Sequence, residues 1–426
     1  MKQLKLKSLS YKPANLHKKL LVIGHNFPEP TTTAAGSRML QLLGTFKEES
    51  YQITFATTAQ VSEHTANLDK MGIDTMAIRL NDASFDVFIA ELNPTIVLFD
   101  RFVTEEQFGW RVTEQCPQAL RILDTEDLHF LRKAREASFK KGEHVVQADI
   151  YTDTAKRELA SMYRCDLSLI ISEVEMQLLQ TEFNIPKQLL HYVPFMVAVP
   201  SEAEKKEWPS FENRQHFMTI GNFKHAPNID AVHYLKTAIW PLIKKEIPTA
   251  QIHIYGAYAP QQITQLHNES EGFLIKGWAT AVGEVMQTAR VCLAPLRFGA
   301  GLKGKLLDAM YYGTPAVTTS MGAEGMHGSF DFAGAIADDA TSFAAASVQL
   351  HNDHELWLQA QKNGFKIIEA RFKRAFFSKA FQQKINTILE HIEAHRQGNF
   401  VGQLLQHHSM QSTKYLSKWI EAKGAD

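Results

Sequence analysis

Through the first half of the chain, short and nearly unbroken apolar runs alternate with stretches whose apolar residues recur every three or four positions. The runs "KLLVIGH", "QITFATT", "IDTMAIRL", "TIVLFD", "ALRILDT" and "CDLSLIIS" predict strands, and segments such as "SRMLQLLGTFK" between them predict amphipathic helices. Strands this apolar, separated by helices, imply a parallel sheet covered on both faces. Ser172 and Glu175 have the spacing of a capping box at the start of the next helix. Then "VPFMVAVPSEAEKKEWPSFENRQ" gathers prolines and charges without periodicity and reads as a linker. The alternation resumes with "HFMTIG", "AQIHIYG", "GFLIKGW", "RVCLAPL", "TPAVTTS" and "FAGAIAD". A last helical stretch, "FFSKAFQQKINTILEHIEAH", precedes a polar end. The expected organisation is a basic tail at 1–18, a doubly wound domain at 19–197, a linker at 198–215, a second doubly wound domain at 216–375, a helix at 376–395 and a polar tail at 396–426. In such sheets ligands bind beyond the C-terminal strand ends, so the cleft between the two domains is the expected site.

Composition narrows the class. A chain of 426 residues is too long for one ordinary core, and 45% apolar with 21% charged residues describes a globular protein. A formal net charge of −1 gives no overall pull toward nucleic acid or anionic lipid. The basic start, "MKQLKLKSLSYKPANLHKK", reads as a solvated tail and leaves room for a peripheral membrane or RNA contact. Cys116, Cys165 and Cys292 lie far apart, which argues against a disulfide framework or zinc ribbon and fits a reducing compartment. The histidines show no ligand-like spacing, so no metal is expected. No apolar run is long enough to span a bilayer and no signal-peptide core follows the basic start, so a cytoplasmic protein is expected.

The chemistry concentrates in "RFGAGLKGKLLDAMYYGTPAV", Arg297 to Val317. Its centre fits G-x-x-x-x-G-K but places Leu306 where a P-loop needs Ser or Thr to reach Mg²⁺, and this excludes a nucleotide triphosphatase of that kind. The pattern is instead a strand, a glycine loop and a short helix from Lys303 to Tyr312 stopped by Gly313 and Pro315. On that helix Leu306, Leu307 and Met310 share one face, while Lys305 and Asp308 lie one above the other on the opposite side. Those two residues alone fit a solvated ion pair. The loop suggests more: Gly299, Ala300 and Gly301 precede a helix end with free N–H groups, a natural anion site. Lys303 and Lys305 add cations where the dipole disfavours them unless an anion lies between.

The run from "LRFGAGLKGKLLDAMYYG" to "TPAVTTSMGAEG" resembles the donor-binding segment of glycosyltransferase family 4, retaining enzymes of the GT-B architecture. "TIGNFKHAPNIDAVHYL" is similar to that family's first glycine-rich turn, with Gly221 and Lys224; "IHIYGAYAP" and "GFLIKGWATAVGEVMQTARVCLAPL" follow in family order. The likeness covers Phe217 to Gly325 strongly and the first half more weakly, through "IGHNFPEPTTTAAGSRMLQLL". It implies two Rossmann-like α/β domains facing across a cleft, the first on the acceptor side and the second holding a nucleotide sugar, with the C-terminal helix crossing back. By the same resemblance, Asp308 would accept hydrogen bonds from the donor's ribose. Ala300 stands where a sugar-contacting Glu is common, so the transferred sugar is less predictable. Lys305 would take the diphosphate, with Lys303 and Lys224 in support, because Asn222 and Pro227 occupy the positions of the family's Arg and Lys. Gly322, Ala323 and Glu324 would lie near the donor.

In the first half, "LRILDTEDLHFLRKARE" puts Asp124, Glu126, Asp127 and His129 just past a strand end, with Arg132 and Arg135 beyond. A helix start enriched in acids accounts for the charges, but not for a histidine among them; the family likeness makes His129 a catalytic candidate. Asp100, Asp124 and Asp127 are acceptor-side candidates, and Gly36 opens the first helix with N–H groups toward the cleft. A dehydrogenase is disfavoured, since G-x-G-x-x-G is absent here. The expected activity is metal-independent, cofactor-free transfer of a sugar from a UDP- or GDP-linked donor to an acceptor hydroxyl with retention. The acceptor is open among a glycan, a lipid-linked sugar and a small molecule. Two alternatives stand beside it: a sugar-nucleotide epimerase drawing on the carboxylates, and a silent scaffold invited by Ala300.

Overall fold

The computed structural model describes residues 18–144 and 149–424; the basic tail, apart from Lys18, lies outside them. The first domain runs β1 (Lys19–Gly24), α1 (Ala34–Glu48), β2 (Gln52–Thr57), β3 (Asp74–Ala77), α2 (Ser84–Leu92), β4 (Ile96–Asp100) and α3 (Arg101–Gln115). It continues through β5 (Leu120–Asp124), α4 (His129–Lys141), α5 (Asp153–Arg164), β6 (Leu167–Ile170), α6 (Glu173–Thr181) and β7 (Leu190–Tyr192). The second opens with α7 (Glu202–Glu207), β8 (His216–Ile220), α8 (Ala226–Tyr234), α9 (Trp240–Glu246), β9 (Ile252–Tyr255) and α10 (Gln261–Thr264). There follow β10 (Phe273–Gly277), α11 (Val282–Thr288), β11 (Ala289–Ala294), α12 (Gly304–Tyr311), β12 (Ala316–Thr318), α13 (Ser320–Ala323) and β13 (Gly334–Ile336). Helices α14 (Ala340–Asn352), α15 (His354–Arg371), α16 (Arg374–Glu390), α17 (Ile392–Gln397) and α18 (Phe400–Lys423) end the chain.

Both sheets are parallel. Their strand orders are β3-β2-β1-β4-β5-β6-β7 and β10-β9-β8-β11-β12-β13, so the order reverses between β1 and β4 and between β8 and β11. Alternate residues feed opposite faces: Leu21 and Ile23 join one buried cluster of the first sheet, Leu20 and Val22 the other. Phe217 and Met218 divide likewise in the second. This two-sided burial is why the strands read as continuous apolar runs.

The chain crosses between domains twice, and the crossings lie side by side. Val197 N–H donates to Phe372 and Arg374 N–H donates to Val197. Helix α16 then returns to the first domain, burying Phe377, Phe381, Ile385 and Ile388 in its core, with Phe381 edge-on to Phe46 at 5.6 Å. The expected polar tail is not one: α17 and α18 follow, and α18 docks on α3 and α5. The linker also holds structure. Its Ser201 and Glu204 form the capping box of α7 at 3.2 and 2.7 Å, whereas Ser172 makes no side-chain cap and Glu175 turns elsewhere.

Candidate functional site

A cavity of about 340 Å³ lies between the domains, beyond the C-terminal strand ends and at both reversals of strand order. The first domain contributes Pro30 to Ala35 and Ser37 after β1, Arg101 after β4, and Glu126, Asp127, His129 and Arg132 after β5. The second contributes Gly221, Asn222 and Asn228 after β8, Gly256 and Ala257 after β9, Trp278 and Ala279 after β10, and residues from Leu296 to Asp308 after β11.

Two helix starts meet here. A Cβ built on Gly304, first residue of α12, would stand 2.6 Å from the Cβ of Ala34, first residue of α1. Any side chain at 304 would push the two apart. The leading N–H groups of a helix have no intrahelical acceptor, and its dipole is positive there. Two positive ends thus converge on one cavity, with Arg101, Arg132 and Lys305 around it.

Lys305 and Asp308 both line this space, one turn apart, and the Lys305 ammonium bonds to Asn228 rather than to Asp308. Burial depresses the Lys305 ammonium to about 8 and lifts the Asp308 carboxyl to about 7. The solvated pair that the sequence allowed is therefore absent. Lys305 Nζ donates to Asn228 Oδ1 at 2.8 Å, and Asn228 Nδ2 donates to the Asn222 carbonyl at 2.8 Å, a relay that aims the lysine. No hydrogen bond reaches the Asp308 carboxylate among the described residues. Both side chains are half-buried, and a charge partly withdrawn from water without an opposite partner is unfavourable unless something else completes it.

The glycine loop plays a different part from the expected one. Gly301 N–H donates to Glu175 Oε1 at 2.8 Å, and the same oxygen accepts from Leu128 N–H at 3.0 Å. Glu175 is thus no capping residue; it is a first-domain carboxylate buried under the loop, lifted to about 7 mainly by burial and then by Asp127. Lys303 Nζ donates to the carbonyls of Ala300 and Gly301 at 3.0 and 2.7 Å. Arg135 donates to the Gly299 carbonyl at 2.9 Å and, two-pronged, to Glu324 at 2.7 and 2.8 Å. Loop amide, loop lysine and Glu324 are all spent on protein partners. Gly301 N–H, the Lys303 ammonium and Glu324 thus have protein partners in this structure, while Gly299, Ala300, Gly301 and Lys303 still line the cavity. Gly304 and Lys305, the first residues of α12, line the cavity as well, where the leading N–H groups of a helix have no intrahelical acceptor.

Several other expected residues do not line the cavity. Gly36 N–H donates to Thr33 Oγ1 at 2.9 Å, so Ala34 and Ala35, not Gly36, open α1 into the cavity. Gly322 N–H is bound to Thr319 Oγ1 at 3.0 Å, and it and Ala323 lie beneath the site without lining it. Lys224 is turned away over the Tyr258 ring at 3.4 Å. Asp124 is buried in a two-pronged pair with Arg38, and Asp100 accepts from His25 N–H at 3.0 Å; neither lines the cavity. Asp127 does, bound by Arg132 at 2.7 Å and lying 3.4 Å from His129 Nε2. Burial pushes the His129 imidazole down to about 3, against the pull of Asp127, so it lines the cavity uncharged.

Arg101, Glu126 and Asn228 were not among the candidates. Arg101 and Glu126 follow neighbouring strands β4 and β5 with φ of 72° and 61°, a conformation non-glycine residues seldom hold and one that gathers at functional sites. Glu126 is 9% exposed, and burial beside Asp124 and Asp100 lifts its carboxyl well above the usual range. The adjacency of β4 and β5 that pairs these two residues is invisible in the sequence.

The domains close tightly here. A Cβ on Gly301, at φ 63°, would stand 2.8 Å from the Asp127 Cβ. Tyr258 Oη donates to Glu29 at 2.8 Å, and Phe139 stacks on Phe298 at 5.0 Å.

Residues 214–353 match the family model described as Glycosyl transferases group 1. Among solved structures the chain is similar to a sucrose-phosphate synthase from Thermosynechococcus elongatus, at 14% identity over 88% of this chain and 99% of that one, TM-score 0.64. It is similar to Anabaena HepE, solved in complex with UDP and glucose, at 11% identity over 87% and 100%, TM-score 0.64. It also resembles WaaG, a glycosyltransferase involved in lipopolysaccharide biosynthesis, at 10% identity over 85% and 98%, TM-score 0.58. A comparison with curated proteins returns no sequence match. The chain has the GT-B fold, and its second domain matches the group 1 glycosyl transferases, which supports transfer of a sugar from a nucleotide sugar.

Proposed function

We propose that this protein transfers a sugar from a nucleoside diphosphate sugar to an acceptor hydroxyl with retention of configuration, without a metal ion. The observation carrying this reading is that Lys305 and Asp308, half-buried and one turn apart on α12, line one cavity without pairing with each other, and burial shifts both toward their neutral forms. A diphosphate seated on the starts of α12 and α1 would supply the anion that Lys305 lacks, and a ribose diol would supply the donors that Asp308 lacks. The base would extend toward Ala257, Ala279 and Val282, the apolar end of the cavity. UDP is the first choice, because Anabaena HepE is solved with UDP and with UDP-glucose.

The hard event is departure of the diphosphate while the anomeric carbon becomes cationic. Lys305 and the two helix starts would sit where that negative charge grows, between the two domains. The departing phosphate then helps to take the acceptor's proton on the same face. Ala300 offers the sugar no polar group, so its hydroxyls meet the first-domain side chains of Glu126, Asp127 and uncharged His129 instead. A thermal-shift screen of UDP, GDP and ADP with their sugars tests the reading. A ligand at 100 times its Kd adds about 2.7 kcal/mol, and no shift with any of them would overturn it. The product's anomeric configuration, read by NMR, tests retention.

A further inference from the structure

Helix α18 is amphipathic the wrong way round. It docks on α3 and α5 through polar groups: Gln406 donates to the Arg164 carbonyl at 2.9 Å, Ser417 to Asn81 at 2.6 Å, Glu421 pairs with Arg111 and Lys414 with Glu114. Asn399 caps its start through Gly402 N–H at 3.0 Å and ties it to the Tyr163 carbonyl at 2.7 Å. The opposite side shows solvent its large apolar residues: Phe400 at 66% exposure, Tyr415 at 65%, Leu416 at 58% and Trp419 at 55%, with Val401 and Leu404 between. At 100° per residue these fall on one side of a helix about 36 Å long, as two apolar patches, at 400–404 and 415–419, with exposed Ser412 on the same side between them. Lys418 and Lys423 stand near the two margins of that face and are exposed. The only carboxylate of the helix, Glu421, is turned inward onto Arg111.

We propose that this face lies on an anionic lipid surface, with the aromatic and aliphatic side chains at the headgroup boundary and the lysines against lipid phosphates. Apolar patches of Trp, Tyr, Phe and Leu on one side of a helix, with lysines at the margins and no carboxylate among them, have the composition of an interfacial helix. No helix among the described residues is long and apolar enough to cross a membrane, so the contact is one of lying on the surface. Charge separates this occupant from two others. Residues 1–17 carry four lysines and no Asp or Glu, so by composition they offer the lysines of this face no opposite charge. A second copy docking by two-fold symmetry would set lysine-edged face against lysine-edged face. An anionic lipid surface is complementary where these two are not. The placement also bears on the cavity: α3 runs from Arg101 in the cavity wall to Arg111 under α18, about 15 Å along its axis.

Co-sedimentation of the full chain with vesicles decides the matter. Vesicles of phosphatidylcholine with about 30% phosphatidylglycerol should bind at least about tenfold more strongly than pure phosphatidylcholine, with the difference shrinking in 0.5 M salt. Leu416→Ser with Trp419→Ser should weaken that binding about tenfold. Both side chains are exposed, so the melting temperature should stay within about 2 °C of the parent. Deletion of residues 1–17 should leave at least half of the binding. Three results would overturn the proposal: no binding to anionic vesicles, binding that survives the double substitution but not the deletion, or a dimer in light scattering that the double substitution dissolves.

Discussion

Lys305 and Asp308 are spaced as a helical ion pair, and the fold denies them each other. Lys305→Ala should lower kcat by about 10²–10³ while donor KM changes less, since the charge it meets develops on the way to the transition state. Steady-state kinetics with UDP-glucose checks this, and unchanged turnover would remove Lys305 from the mechanism. pH offers a second handle. Asp308 must be ionised to accept from a ribose, so donor affinity should rise as pH climbs through about 7. Lys305 must be protonated to hold phosphate, so affinity should fall above about 8. UDP-glucose has no titrating terminal phosphate, and calorimetry with it should give a bell whose acid limb disappears in Asp308→Asn. Stability follows the opposite sense at Asp308. Its folded carboxyl keeps a proton that the unfolded chain gives up near 4. Folding stability should therefore decline as pH rises from about 4 to 7 and then level off, and Asp308→Asn should flatten that decline in urea titrations.

Among the elements, α16 and the loop before α12 matter most. The periodicity of α16 is plain in the sequence, but the surface that receives it is the first domain, far back along the chain. Phe381→Ala should cost about 3–5 kcal/mol, read by chemical denaturation, because it empties a position packed against Phe46. The loop teaches the reverse lesson. Gly299, Ala300 and Gly301 read as a phosphate cradle, and the structure spends their peptide groups on Arg135, Lys303 and Glu175. The capping box read at Ser172 failed for the same reason: Glu175 was taken by a partner 126 residues away. Strand β7 and helix α18 escaped the pattern too. The first is three residues long, and the second buries its polar side.

For the two domains together, closure over the cavity is the property that function needs. The second domain alone holds Lys305 and Asp308, while the first supplies His129, Glu126 and Arg101. A branched side chain at Gly301 should wedge Asp127 away and part the domains. In Gly301→Val we expect UDP affinity within about threefold of the parent and kcat lower by at least about 10²-fold, because misplacement costs chemistry more than it costs nucleotide binding. Equal losses in both would indicate a site contained within the second domain.

The parallel sheets and the placing of Lys305 and Asp308 on one short helix after a glycine loop were legible along the chain, because strand burial, helix stops and side-chain spacing on one helix are local properties that periodicity records. Which amides stay free, which carboxylates are neutralised and which residues face each other across the cleft were decided only by the tertiary structure. Arg38 meeting Asp124, Arg135 meeting Glu324 and Glu175 reaching Gly301 each join residues remote in sequence. A buried polar group is defined by the partner that satisfies it, and that partner is chosen by packing in three dimensions.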